Sequence, residues 1–270
     1  VVASALSQPV HWGDQVAVEV VGGVPFRMYT ERPRRVSSVI PLAARWGARP
    51  HIIQGERQFS FDDTLGAIVQ RAAELTALGV RPGEHVFLIG WNSPEWIVNF
   101  WACLRMGAVP VLANAWWSET EVANGLALLQ PVLTLADARA AARVPAGYRL
   151  GPWDVAAGIS PPAAHDLVDD VSREENETAL IIFTSGTSGQ PKAVVLSHRA
   201  VLARLHMTLQ ISRKLPQQID GAAHDVTLVT GPLFHVGTMQ GLLRAFVTGD
   251  TFVLPLGRYD PAEVVDLIER

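Results

Sequence analysis

Cysteine is almost absent, with Cys103 the single thiol in 270 residues. One thiol cannot build an internal disulfide framework or a cysteine-rich metal site, and the usage fits a reducing, cytoplasmic compartment. Lysine is nearly as scarce: Lys192 and Lys214 are the two among 22 basic residues, the rest being Arg. Basic excess is missing too. The 22 Lys and Arg face 26 Asp and Glu, for a net charge of −4 and a pI near 6.1. No cationic footprint therefore directs the chain to nucleic acid or to an anionic membrane. The N-terminus has no basic stretch followed by an apolar run, so no secretory signal is expected, and it lacks an initiator Met. One mostly apolar run, residues 96–117, approaches spanning length, but Asn99, Arg105, Gly107, Pro110 and Asn114 interrupt it. It reads as a buried helix, a turn and a buried strand, with no transmembrane segment. What the chain does have is apolar residues, 49% against 18% charged, enough for a sizeable core and too many for a disordered chain.

Two stretches of alternating residues, 16–21 and 24–29, flank Gly22-Gly23 and predict a hairpin. Arg32-Pro33-Arg34-Arg35 reads as a linker, and a helix is expected over 39–46. Ser60 with Asp63 forms an N-cap pair ahead of Leu65, Val69, Ala72 and Leu75, which fall on one helical face; Gly79 ends that helix. A strand at 86–89 follows. Ser93-Pro94 opens a helix to Met106, 109–113 is a strand, Ser118 with Glu121 is a capping box, and 132–135 is a third strand. This alternation predicts βαβ units on a parallel sheet. Residues 138–162 read as loosely structured and the acidic run 166–177 as solvated surface. A second α/β pattern has strands at 180–183, 193–196, 226–229 and 251–254, a helix capped by Ser197, and a last helix from Asp260-Pro261 that runs to Arg270 without a stop signal. The expected organisation is a hairpin and linker (1–35), a first α/β subdomain (36–165) and a second α/β segment (166–270) that ends inside a domain.

The informative stretch is Thr184-Ser185-Gly186-Thr187-Ser188-Gly189-Gln190-Pro191-Lys192. It leaves a buried strand and offers four hydroxyls, two glycines and one Lys. Hydroxyls, close backbone N–H groups and an ammonium suit phosphate oxygens, so an anion is the natural occupant. It is not a Walker A loop, because Pro191 precedes Lys192 and no Gly-Lys-Ser/Thr leads into a helix. Dinucleotide fingerprints and Gly-x-Ser-x-Gly elbows are lacking. On composition alone a flexible Ser/Gly turn between two strands explains it equally well.

The string closely resembles the phosphate-binding signature of the AMP-forming acyl- and aryl-CoA synthetases, the adenylate-forming superfamily. Phe59-Ser60-Phe61, the run Gly79-Val80-Arg81-Pro82-Gly83-Glu84, Asn92-Ser93-Pro94-Glu95-Trp96, Gly107-Ala108-Val109-Pro110, Pro232-Leu233-Phe234-His235 and Tyr259-Asp260-Pro261 resemble family segments in the family's order. The likeness spans about residue 36 to the end. It implies the N-terminal portion of that fold, two α/β subdomains with largely parallel sheets. It implies ATP, Mg²⁺ and CoA, and activation of a carboxylic acid to acyl-AMP followed by transfer to CoA. By this resemblance Ser185, Gly186, Thr187, Ser188 and Gly189 grip phosphates, Lys192 adds charge, and Thr184 helps to hold Mg²⁺. His235 faces the carboxylate, with Val236, Gly237 and Met239 beside the acid and 237–241 lining an acyl tunnel. Ser188 keeps a hydroxyl where the family has Thr. Ala193 replaces a Gly, which matters if φ there is positive.

The family's later motifs do not occur before Arg270, so an incomplete, inactive piece of a synthetase is expected. The leader favours a fatty or similarly apolar acid and a role in fatty acid metabolism. Two alternatives stay open: an adenylating enzyme serving a carrier protein, and a non-catalytic acyl- or nucleotide-binding homologue. A homodimer also stays open. His198, His206, Cys103, Trp116 and Trp117 read as packing residues.

Overall fold

Side-chain alternation along the central strands decides the layering. In the computed structural model, which describes residues 11–155, 161–167, 174–184, 191–219, 221 and 224–269, the chain opens with an antiparallel hairpin, β1 (Val16–Val21) and β2 (Val24–Tyr29). A 3-10 segment (Val36–Trp46) leads to a second hairpin, β3 (Pro50–Gln54) and β4 (Arg57–Ser60). The order continues α1 (Phe61–Ala77), β5 (His85–Ile89), α2 (Pro94–Arg105), β6 (Val109–Ala113), α3 (Glu119–Leu129), β7 (Leu133–Ala136), α4 (Ala138–Ala141) and β8 (Leu150–Gly151). Then come β9 (Thr178–Thr184), β10 (Lys192–Ser197), α5 (His198–Ile211), β11 (Val226–Leu228), α6 (Val236–Thr248), β12 (Thr251–Val253) and α7 (Pro261–Glu269).

Two larger sheets result. One has six strands in the order β10-β9-β6-β5-β7-β8, parallel except for the β10 edge. The other has four, β11-β12-β3-β4, parallel except for β4. On the six-stranded sheet Val86, Leu88, Leu112, Leu133, Leu135, Leu180 and Ile182 face the larger core, which contains residues of α1, α2, α5 and α6. Their neighbours Phe87, Ile89, Val111, Ala136 and Ile181 face a second core under α3 and α4. Period-two burial on both faces explains why these strands read as continuous apolar runs.

Both expected capping boxes are present: the Asp63 N–H donates to Ser60 Oγ at 3.0 Å and the Glu121 N–H to Ser118 Oγ at 3.3 Å. The helix expected over 39–46 is a 3-10 segment beginning at Val36, and Pro41, which has no N–H, denies it a regular α ladder. The stretch 138–162, expected to be loose, contains α4 and β8. The β3–β4 hairpin was not expected, and its Gly55 turns the chain at φ 59°. In the acidic run, Glu175 is buried rather than solvated and is held by Arg32 (2.7 Å), Arg34 (2.8 Å) and Arg199 (3.1 Å). The sheets cut across a division at residue 165: β9 and β10 follow it and join β5–β8, while β3 and β4 precede it and join β11 and β12. No described helix is long and apolar enough to cross a membrane.

Candidate active site

In open α/β sheets, ligands sit beyond the carboxyl ends of the strands. Here a cavity of about 460 Å³ lies at the carboxyl ends of β6 and β9, lined by Leu112, Asn114, Trp117, Glu121, the run Ile182-Phe183-Thr184, Pro191, and Phe234-His235-Val236. The structure thus brings Thr184, His235 and Val236 together. Ser185, Gly186, Thr187, Ser188 and Gly189 lie outside the described residues. Lys192 is exposed and pairs in antiparallel register with Thr184, so the string begins and ends at one point of the sheet. Ala193 pairs with Phe183 in the same ladder and has no positive φ, so the replacement of Gly meets no backbone strain there.

His235 caps the 13-residue α6. Its Nδ1 accepts from the Gly237 N–H at 3.4 Å, which leaves Nε2–H as the donor of the neutral ring. The first-turn N–H groups of α6, of which the Gly237 N–H is taken by His235, add a partial positive charge beside it. The far wall is built by the Asn114–Trp117 turn. Asn114 Oδ1 accepts from the Trp116 N–H at 2.8 Å, and Arg143 binds the carbonyls of Ala115 (3.0 Å) and Trp117. Trp117 stands edge-on to Phe183, with centroids 4.6 Å apart, and packs so closely over Gly125 that a Cβ there would lie 2.9 Å from its ring. Sequence reasoning took Trp117 for packing alone and passed over Asn114. The available signal was position, since Asn114 follows directly on β6 and Trp117 lies three residues after Asn114.

Gly237 lines a second cavity of about 230 Å³ with Val229, Leu233, Gly241, Leu242 and Phe252, and the first turn of α6 lies between the two. Met239 lines neither. It is fully buried with Leu242, Leu243 and Phe246, the i, i+3, i+4 and i+7 face that α6 turns to the core. A third cavity, also about 460 Å³, is lined by Trp91, Ala115, Trp116, Arg139, Arg143 and Arg258. It adjoins the first through edge-to-face contacts of Trp116 with Trp91 (5.5 Å) and with Phe234 (5.3 Å).

Among the described residues no group of three His, Cys, Asp or Glu could hold a metal. The hard side-chain oxygens at the first cavity are the Thr184 hydroxyl, the Asn114 Oδ1, which already accepts from the Trp116 N–H, and the Glu121 carboxylate, whose Oε2 already accepts from the Ser118 N–H and Oγ–H, each at 2.8 Å. Such a set does not cage an ion. It fits an Mg²⁺ carried by phosphates, which needs one or two protein oxygens.

A family model for AMP-binding enzymes matches residues 42–270. The chain belongs to the AMP-binding enzyme family. Among curated relatives of this family, a 4-coumarate–CoA ligase-like protein of Oryza sativa subsp. japonica is 30% identical over 223 residues, covering 78% of the chain and 41% of the relative. An indoleacetate–CoA ligase of Aromatoleum aromaticum is 28% identical over 229 residues, 80% of the chain and 43% of the relative. The chain thus spans about two fifths of the length of these relatives. A Mycobacterium tuberculosis fatty acyl CoA synthetase superposes with a TM-score of 0.69 at 21% identity, over 87% of this chain and 47% of that one. A Bacillus subtilis O-succinylbenzoate coenzyme A synthetase in complex with AMP superposes with a TM-score of 0.67 at 21% identity, over 86% and 58%. The architecture is that of the N-terminal domain of adenylate-forming enzymes.

Proposed function

We propose that this chain contributes the acid-activating half of an acid–CoA ligase, and that its acid is apolar. The observation that carries the reading is the convergence of Thr184, Pro191, His235 and the N-terminus of α6 on one cavity at the strand ends. His235 Nε2–H and the first-turn N–H groups of α6 hold a carboxylate. The string at 184–192 holds the ATP phosphates, with the Lys192 ammonium as a point charge. Bound Mg²⁺ supplies charge neutralisation on the phosphates. The carboxylate oxygen attacks the α-phosphorus, the bond to the bridging oxygen breaks, and pyrophosphate leaves with the electron pair. The thiol of CoA then attacks the acyl carbon, and AMP leaves. Positioning and charge stabilisation account for the acceleration.

The apolar part of the acid enters the second cavity, where Gly237 and Gly241 leave two positions of the α6 wall without side chains beside Thr238 and Leu242. The indoleacetate named for one relative is an aromatic acid, and the rings of Trp117, Phe183 and Phe234 in the first cavity suit the carboxylate end of either an aryl or a fatty acid. The three guanidinium groups and two indoles of the third cavity receive the phosphates and adenine of CoA. The test is to incubate the complete product of the gene with ATP, Mg²⁺, CoA and a panel of fatty and aryl acids. AMP and an acyl thioester are expected. ADP as the product, or AMP release that ignores the acid, would contradict the reading.

A further inference from the structure

The loop that delivers His235 is irregular, and two of its backbone polar groups are satisfied by one side chain from the other sheet. Asn92 follows β5 and precedes the Ser93 cap of α2. Its Nδ2 donates to the Gly231 carbonyl at 2.8 Å, and its Oδ1 accepts from the Leu233 N–H at 2.8 Å. A primary amide presents N–H donors and a carbonyl acceptor side by side in one plane, which suits a carbonyl and an N–H two residues apart. Asn92 is itself held. Buried Gln54, the last residue of β3, donates through Nε2 to the Asn92 carbonyl at 2.9 Å and to the Pro255 carbonyl at 3.0 Å. Two amide side chains therefore join the ends of β3 and β5, the loop after β12 and the β11–α6 loop. From Leu233 the path to the site is short. The His235 N–H donates to the Pro232 carbonyl at 3.1 Å, closing a turn whose middle the Asn92 clamp fixes. Phe234 is tethered separately, by its ring on Trp116, so the clamp governs the backbone of this loop.

We propose that Asn92 is a positioning residue for His235. It sets the Gly231–His235 turn so that the imidazole and the first turn of α6 meet the acid's carboxylate, and Gln54 sets Asn92. This rests on the reading of His235 as the carboxylate's neighbour. A residue that only stabilised the fold would act equally on every substrate and independently of His235.

The test is a double-mutant cycle on acid-dependent ATP–pyrophosphate exchange in the complete gene product, with melting curves and imidazole NMR of each variant. Asn92→Ala should lower kcat/KM for the acid roughly 5- to 100-fold, the worth of two hydrogen bonds, and leave the KM for ATP within about twofold. Added to His235→Ala, it should cost no more than about a further twofold, because both changes remove one function. The His235 resonance, identified by its loss in His235→Ala, should shift while those of buried His51 and His206 stay in place. Asn92→Asp, which keeps the shape and the acceptor but loses the donor, gives the same readouts if Asn92→Ala does not fold. Multiplicative losses, or an unmoved His235 resonance in a folded variant, would overturn the proposal. A moved resonance in a protein with no acid-dependent exchange would overturn the carboxylate reading and still support the clamp.

Discussion

Thr184 and Lys192 are register partners across the antiparallel β9–β10 pair, at the lip of the cavity that His235 enters from the other side. A hydroxyl and an ammonium thus flank the base of the same loop, opposite a helix N-terminus. In our reading the triphosphate lies on one side of the acid and His235 on the other, so loss of Lys192 and loss of His235 should affect the same adenylation step through different substrates, ATP and the acid.

For Lys192, a charge-assisted contact to phosphate is worth about 1.5–3 kcal/mol. Lys192→Ala should slow adenylation roughly 10- to 150-fold. Thioester formation from supplied acyl-AMP should lose less, because pyrophosphate has already left. Rapid-quench measurement of the two half-reactions checks this, and equal losses would contradict the role.

The third cavity gives a separable expectation. Arg139→Glu or Arg258→Glu should raise the KM for CoA by roughly five- to tenfold each, for about 1–1.4 kcal/mol lost. Acid-dependent pyrophosphate exchange, which needs no thiol, should keep its wild-type rate. A fall in exchange with no change in the KM for CoA would place CoA elsewhere.

Acid length should respond to Gly241 and not to Met239. Gly241→Leu fills the second cavity and should shift preference to shorter acids, at about 0.8 kcal/mol for each methylene excluded. Met239→Trp overpacks the core and should lower stability by about 1–3 kcal/mol, with the profile across straight-chain acids unchanged. Profiles of kcat/KM and melting curves for both variants distinguish the two positions.

Stability should fall as the pH drops below about 6.5. Burial pushes the His51 imidazole down to about 3, and burial also lowers His206 against the Gly13 carbonyl that accepts from it. The folded chain therefore resists protonating both rings, His51 most strongly, whereas in the unfolded chain they take a proton near pH 6.5. Their contribution is complete above that pH and declines toward the folded values, by about 1.4 kcal/mol per pH unit for each proton. Glu19 and Glu175 also have lowered values. For Glu19 the Arg32 hydrogen bond leads, and for Glu175 burial acts upward but is outweighed by Arg32 and Arg34. Those carboxylates act below about pH 4.5, so the window from 6.5 to 5 isolates the histidines. Urea midpoints across that window should fall less steeply in His51→Leu than in the wild type, and an identical slope would remove His51 from the account.

Local chemistry was legible in the sequence wherever one segment carries its whole signal. Ser60 with Asp63, Ser118 with Glu121 and Ser93-Pro94 mark helix starts because cap and partner are three residues apart or fewer. Thr184 and His235 could be picked out because each sits in a distinctive string. Features built from distant segments were not legible. β3 finds its parallel partner β12 about 200 residues later, and no local pattern encodes that pairing. Asn92 looks like part of a helix cap until Gly231 and Leu233 are seen beside it. Arg139 and Arg143 fall in a stretch whose Ala, Gly and Pro content suggested loose structure, and their neighbour Arg258 lies more than a hundred residues on. Met239 matched the expected segment, but the helical face it occupies turns to the core.

The central claim is that this cavity activates a carboxylic acid by adenylation. Pyrophosphate exchange tests it most directly, because it reports only the reversible step that the residues of this chain are proposed to serve. Labelled pyrophosphate, ATP, Mg²⁺ and each acid of a fatty and aryl panel are mixed with the complete gene product, without CoA. Label should enter ATP only when an apolar acid is present, and should enter at least about tenfold more slowly in His235→Ala and Lys192→Ala variants that melt as the wild type does. Exchange that needs no acid, or no exchange with any acid from a folded protein that binds ATP, would contradict it.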